Sequence, residues 1–347
     1  MKILHTADWH LDAPLQGHGD FLRQKLGEIP QKIAEIVTKE RCDLVLLAGD
    51  VFDGAYTHHT YQRVYNALKD MEVPVFVTPG NHDFSDPNSP WSKELWPENV
   101  HIFRSQQIES VAIPELDCRV YGAGFASMDC PAQLEGFVAV KTEKYAIGIF
   151  HGDTTQVNSP YNPITKAQVQ ASDLDYLALG HIHKADQFIA GKTLCTWPGC
   201  PMGRGYDEQG EKGVYIVTLE ERASLRFCPL DTPRFYDLQA EPQNLGNVLP
   251  PVGNEDFYRV TLVGSCDAPD LAALQAEFSC FPNLVLRDQT TRPVDIWGSL
   301  GEDSFEGVYF GLLKQAMETA DEAEKQEILL AAELSRKLLE GQEVKLP

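Results

Sequence analysis

The segment Asp43-Leu-Val-Leu-Leu-Ala-Gly-Asp-Val-Phe-Asp53 is a short apolar run that closes on a glycine and two aspartates. It reads as a strand that delivers carboxylates to a loop at its C-terminal end. Runs of the same kind lie on either side, at Lys2–Thr6 and at residues 73–78. Between them the apolar positions advance by three or four: Leu22, Leu26, Ile29, Ile33, Ile36 and Val37 in one segment, then Tyr61, Val64, Tyr65 and Leu68 in the next. Strand, helix, strand, helix, strand implies a parallel sheet.

Further strand-like runs follow at residues 119–122, 145–150, 174–179, 214–219 and 224–228. Their shorter connections favour hairpins, so the economical architecture is a mixed sheet, or two packed sheets, flanked by helices. Past residue 230 the pattern changes. Residues 256–263, 268–278 and 283–287 spell a strand-helix-strand unit, and helical stretches follow at 305–317 and 322–339. In the first of these, Phe305, Val308, Tyr309, Leu312, Leu313, Ala316 and Met317 share a stripe, which is expected to pack on its own protein, with docking of a partner helix as the alternative. The division expected is residues 1–230, a small α/β unit at 231–295 and a helical region at 296–347.

The chain has 347 residues, 43% of them hydrophobic, and sets 29 Lys and Arg against 51 Asp and Glu, a formal charge of -22. Such a surface repels polyanions, so any binding of nucleic acid must draw on local attraction. The charge is densest at the end: residues 231–347 hold 9 basic and 21 acidic side chains, against 20 and 30 in residues 1–230. No apolar run approaches the roughly 20 residues of a membrane span, and the first fifteen residues do not read as a signal peptide, so a cytoplasmic location is expected. The eight cysteines lack close pairing and suit reduced, mostly buried thiols.

Five short motifs sit where a strand ends and a loop begins: Asp8-Trp9-His10, Gly49-Asp50-Val51-Phe52-Asp53, Gly80-Asn81-His82-Asp83, His151-Gly152-Asp153 and Gly180-His181-Ile182-His183. Ligands of open α/β sheets bind beyond the carboxyl ends of the strands, where these loops would converge. Residues two apart in an extended segment point the same way, so Asp8 with His10, and His181 with His183, can reach one region. The glycines let the backbone turn sharply or lie close to an ion. Mixed carboxylate, amide and imidazole donors suit manganese, iron or zinc rather than calcium. Two cations about 4 Å apart need a bridging carboxylate, for which Asp50 is the natural candidate. Each motif alone is common by chance; the ordered set is specific. His5 reads as core, and His58, His59 and His101 as solvated residues.

This series resembles the calcineurin-like metallophosphoesterase pattern. The stretches Thr6-Ala-Asp-Trp-His-Leu-Asp-Ala-Pro14, Leu179-Gly-His-Ile-His-Lys184 and Pro198-Gly-Cys-Pro-Met-Gly-Arg204 are similar to those of bacterial SbcD-type, and especially YhaO-type, DNA repair exonuclease subunits. The resemblance covers residues 1–230 and implies an α/β fold: a metallophosphoesterase β-sandwich flanked by helices, followed by a small α/β capping domain and a C-terminal helical region. It further implies two divalent ions, Mn2+ foremost with Fe2+ or Zn2+ as alternatives. One would be held by Asp8, His10, Asp50 and His183, the other by Asp50, Asn81, His151 and His181. His82 would be the general acid, oriented by Asp53, and His18, Lys184 and Arg204 would contact substrate phosphate. The activity implied is that of a metal-dependent, 3'-5' exonuclease-like phosphodiester hydrolase. Its partners would be DNA and an SMC-like coiled-coil ATPase of SbcC or YhaN type, and a homodimer through residues 21–40 or 61–71 is compatible with the likeness. The alternative is a phosphodiesterase or phosphatase acting on nucleotides or other small phosphate esters.

Overall fold

The computed structural model describes residues 1–15 and 19–341, which divide into two compact units. The first comprises Met1–Asp237 with Glu255–Tyr258, and the second Leu238–Asn254 with Arg259–Pro347.

The first unit is built from two six-stranded sheets. In chain order its elements are β1 (Lys2–Thr6), α1 (Gly19–Glu40), β2 (Leu44–Leu47), α2 (His58–Asp70), β3 (Val75–Val77), the short α3 (Pro90–Lys93), β4 (Val100–Ile102), β5 (Glu109–Ile113) and β6 (Cys118–Ala123). They continue with β7 (Tyr145–His151), α4 (Lys166–Ala171), β8 (Tyr176–Gly180), β9 (Asp186–Ala190), β10 (Thr193–Trp197), β11 (Gly213–Leu219) and β12 (Ala223–Pro229). One sheet runs β12-β11-β1-β2-β3-β4 and the other β5-β6-β7-β8-β10-β9. The two-sheet arrangement flanked by helices is the one the sequence implied.

The apolar runs are continuous because these strands are covered on both faces. In β2, Leu44 and Leu46 enter the core between the sheets with Ile3, Val120, Ile147 and Ile149. Val45 and Leu47 point the other way, onto Leu26, Ile29 and Ile33 of α1 and Val64 of α2. The helical spacing read in the sequence is therefore the spacing of side chains that cover the outer face of the first sheet.

One expectation is corrected. β11 and β12 do form a hairpin, but β6, β7 and β8 pair in parallel, not as hairpins. Their connections, residues 124–144 and 152–175, are long enough for crossovers. The hairpin β9-β10 and the edge strands β4 and β5 were not read from the sequence: β9 has an exposed, polar start at Asp186 and Gln187, without the alternation that marks a half-buried strand.

The second unit contains most of a three-stranded sheet, β13 (Phe235–Ala240), β14 (Phe257–Leu262) and β15 (Leu284–Asp288), in the order β13-β14-β15. With it come the short α5 (Leu245–Val248) and α6 (Leu271–Glu277), and the longer α7 (Phe305–Thr319) and α8 (Glu322–Leu339). The stripe expected to pack along α7 does so only in part: Phe305, Val308 and Leu312 are 74%, 60% and 61% exposed, Tyr309 is half-buried with its hydroxyl 2.9 Å from Ser335 Oγ of α8, and Phe310, outside the stripe, is fully buried. Phe310 lies under the Arg336 guanidinium, 4.2 Å from ring centroid to Cζ, and edge-on to Trp297. Arg336 also bonds Ser299 Oγ at 2.9 Å and pairs with Glu306, fastening α8 to α7. Among the described residues no helix is long and apolar enough to cross a membrane. The cysteines are unpaired, and Cys42, Cys118, Cys130, Cys195 and Cys200 are buried.

Candidate metal centre

The motif loops of the first unit converge as the strand order requires. Beyond the end of β1 and β2 the ladder continues into the loops, with Asp8 N–H donating to Gly49 O at 3.0 Å and His10 N–H to Asp50 O at 2.9 Å. In the other sheet His151, at the end of β7, is in register with Gly180 at the end of β8, which sets His181 beside it. Asp8, His10, Asp50 and Asn81 thus come from one sheet, and His151, His181 and His183 from the other.

Their backbone is unusual. Asp8, His10, Asp50 and His181 have φ of 54°, 46°, 51° and 90°, in the left-handed region that non-glycine residues rarely occupy. Each costs about 1–2 kcal/mol, a strain that persists where the surroundings over-determine it, as at functional sites. Two glycines have no tolerance for a side chain: a β-carbon on Gly80 would overlap Asp50 Oδ1, and one on Gly180 the Ala48 carbonyl. Asp83, buried, ties the loops together by accepting N–H bonds from Gly80 at 2.8 Å, Asp50 at 3.2 Å, Val51 at 2.8 Å and Phe52 at 3.3 Å. Burial and the neighbouring Asp50 charge push its carboxyl up to about 6.

Asp50 Oδ2 lies between two imidazoles, 3.7 Å from His10 Nε2 and 3.2 Å from His151 Nε2. His10 Nε2 is 3.1 Å from His183 Nε2, and His183 Nε2 is 4.0 Å from Asp8 Oδ1. Asn81 Oδ1 is 3.0 Å from His151 Nε2 and 3.1 Å from His181 Nδ1. Asp8 accepts the His181 backbone N–H at 2.9 Å. Burial disfavours a charge on Asp50, yet the His151 and His10 imidazoles overcome it and hold the carboxyl far below its ordinary range. Burial likewise opposes a charge on His151, but Asp50 outweighs it and raises the imidazole to about 9; burial and that neighbour lower His181 to about 4.

The donor set fits cations. His10 Nδ1 lies 2.9 Å from Asp53, His183 Nδ1 2.7 Å from Glu208, and His151 Nδ1 2.9 Å from the Ala48 carbonyl. These carboxylate and carbonyl partners accept, so each Nδ1 carries a proton, with Arg204 Nη2 also 3.1 Å from His183 Nδ1, and each Nε2 faces inward as the atom that would bind a cation. His10 Nε2 and His183 Nε2 lie 3.1 Å apart, and His151 Nε2 faces Asp50 and Asn81 oxygens, so bound cations would take the places of protons there. Asp8, His10 and His183 form one cluster with ligand atoms within 4.8 Å of one another, and Asp8, Asp50 and His151 form a second.

His82 groups with His10 and Asp50 as well, and it is the most exposed of these residues, with 46% of its side chain accessible against 32% for His183. Its Nδ1 is 2.8 Å from Asp53 Oδ1, the same oxygen that holds His10. The hydrogen bond to Asp53 raises the His82 imidazole above its ordinary value against the opposing effect of burial. Arg204 lies close by, with Nη2 at 2.6 Å and Nε at 3.2 Å from the two oxygens of Glu208. Glu208 was missed in the sequence; its only signal was its place four residues past the Pro198–Arg204 stretch. Lys184 is exposed in the loop after His183, and His18 lies outside the described residues. His5 is buried in the core between the sheets, and His58, His59 and His101 are exposed.

A model of the calcineurin-like phosphoesterase family matches residues 1–185. The chain is 30% identical over 234 residues to the uncharacterized metallophosphoesterase YhaO of Bacillus subtilis (strain 168), covering 62% of this chain and 57% of that protein. It is 26% identical over 259 residues to the D subunit of nuclease SbcCD of the same organism, covering 62% and 66%. The corresponding D subunit of nuclease SbcCD from Staphylococcus epidermidis is 25% identical over 266 residues, covering 66% and 70%. The matched region thus spans less than two thirds of the length of the two Bacillus relatives.

Proposed function

The chain belongs to the calcineurin-like phosphoesterase family of phosphoester hydrolases, and from that premise we propose that it cleaves phosphodiester bonds of DNA. The site would hold two divalent cations, manganese foremost, through Asp8, His10, Asp50 and His183 on one side and Asp50, Asn81, His151 and His181 on the other. The observation that carries this reading is the convergence of His10, His183 and His151 Nε2, each ring oriented by an acceptor at Nδ1, on the oxygens of Asp8, Asp50 and Asn81. When bound, such cations supply Lewis acidity and neutralise charge at the phosphoryl oxygens.

The remaining steps belong to the chain. A water oxygen bonds phosphorus as the bond to the ester oxygen breaks, and the water's proton passes to solvent. The departing oxygen takes a proton from His82 Nε2, the nitrogen not engaged by Asp53. Asp53 keeps that imidazole oriented and favours its protonated form. Exposure supports this role, because a proton donor must reach the substrate while the cation ligands need not. Arg204 and Lys184 would meet substrate phosphate, with Arg204 steadied by Glu208.

A partner ATPase of the SMC type accords with the relatives named as subunits of nuclease SbcCD and with the uncovered apolar face of α7. The second reading, hydrolysis of small phosphodiesters, uses the same residues. The deciding experiment gives manganese to the purified chain and compares linear DNA of defined ends with bis-p-nitrophenyl phosphate and free nucleotides, with Asp50→Ala alongside. Cleavage of DNA that disappears in Asp50→Ala is the expected result; cleavage of the small esters alone favours the second reading, and activity that survives the substitution refutes both.

A further inference from the structure

A cavity of about 530 Å³ opens beside His82 and Asp53. Its apolar wall is formed by Leu15, Leu22, Tyr206 and Phe235, with the Tyr206 ring edge-on to Phe235 at 5.3 Å between centroids. We propose that this cavity receives the nucleoside bearing the leaving oxygen, its base packing against Tyr206 and Leu15. The proposal rests on the reading of His82 as the proton donor. A donor must approach the departing oxygen to about 3 Å, so the group attached to that oxygen has to occupy the space next to His82. Asp8, His10, Asp50 and His151 are fully or almost fully buried, and His82 is more exposed than His183, at 46% against 32% of the side chain.

The volume lies in the range of small-ligand pockets, about 300–1,000 Å³. The lining combines this apolar and aromatic surface with Asp53, His82, Arg204, Asp207 and Glu208, which suits a planar base attached to a sugar. Arg204 lines the same cavity, but both Glu208 oxygens are engaged with it, and Asp207 adds an exposed carboxylate. Recognition here therefore comes from the face of the base more than from charge.

Two measurements test the assignment separately from the function it rests on. Thymidine binding to the full chain, without added metal, is followed by ligand-observed NMR for the wild type, Tyr206→Phe and Tyr206→Ala. Manganese-dependent cleavage of thymidylyl-thymidine is compared with that of the methyl esters of thymidine 3'- and 5'-phosphate, in which methanol can leave. The expected result is thymidine binding in the wild type and Tyr206→Phe that weakens at least tenfold in Tyr206→Ala. The preference for the dinucleotide over the methyl esters should shrink by a similar factor. Absent thymidine binding in the wild type, or binding and preference that are unchanged in a folded Tyr206→Ala, overturns the pocket. Intact, Tyr206-dependent binding with no hydrolysis of any ester upholds the pocket and overturns the proposed catalysis instead.

Discussion

At the scale of single residues, the proposed division between cation ligands and a more exposed proton donor sets what each substitution is expected to do. His82→Asn removes the proposed proton donor but leaves the seven proposed cation ligands in place. Turnover should fall by about 10²-fold or more while manganese binding, measured by calorimetry, stays near wild type. A parallel loss of manganese binding would make His82 a ligand. Glu208 acts through His183: without it the Nδ1 proton loses its acceptor and the ring its fixed orientation. Glu208→Ala should weaken manganese binding by about 10–100-fold, and calorimetry that finds the affinity intact would refute that role. The ligand candidates were legible because each stands at a strand exit with a glycine or a second donor beside it. Glu208 was not, because a residue that works by supporting another side chain leaves no spacing of its own in the sequence. Asp83 stood in a motif, yet its four backbone hydrogen bonds become visible only once Gly80 and the Asp50 loop are side by side.

At the scale of elements, β1 carries a polar residue through the core. His5 Nδ1 bonds Tyr176 Oη at 2.8 Å and Thr196 Oγ1 at 3.1 Å, joining β1 to β8 and β10 across the two sheets. Burial pushes this imidazole from its ordinary 6.5 down to about 3. Below pH 6.5 the unfolded chain gains a proton here that the folded chain refuses until about pH 3, so stability is lost on acidification through that window. The slope is about 1.4 kcal/mol per pH unit for one proton. His5→Gln should flatten the fall in denaturant midpoint between about pH 6 and pH 4; an unchanged slope would mean that other groups govern it. The core strands were legible from their apolar runs, and α1 and α2 from three-and-four spacing. The parallel pairing of β6, β7 and β8 was not, since connection length alone does not distinguish a hairpin from a crossover whose loop has little helix. The α7 stripe misled for a related reason: amphipathic spacing says that a face wants cover, not that this chain supplies it.

At the scale of the whole molecule, a formal charge of -22 opposes DNA. Under the proposed function, attraction would come from bound cations and a few basic loop residues, with sustained engagement left to a partner. The isolated chain should bind DNA only weakly in physiological salt, and fluorescence anisotropy checks it; tight binding by the chain alone would break that division of labour. The origin of the ligands has one further effect. Four of the candidate donors descend from the first sheet and three from the second, so an ion seated among them acts as a rivet through both layers of the sandwich. Heat must then pull the rivet before the layers part. Melting temperature should climb with manganese concentration and drop on chelation, by the equivalent of about 2.7 kcal/mol at a hundredfold excess over the dissociation constant. A melting curve indifferent to manganese would leave the layers unfastened and the seven side chains without their shared task.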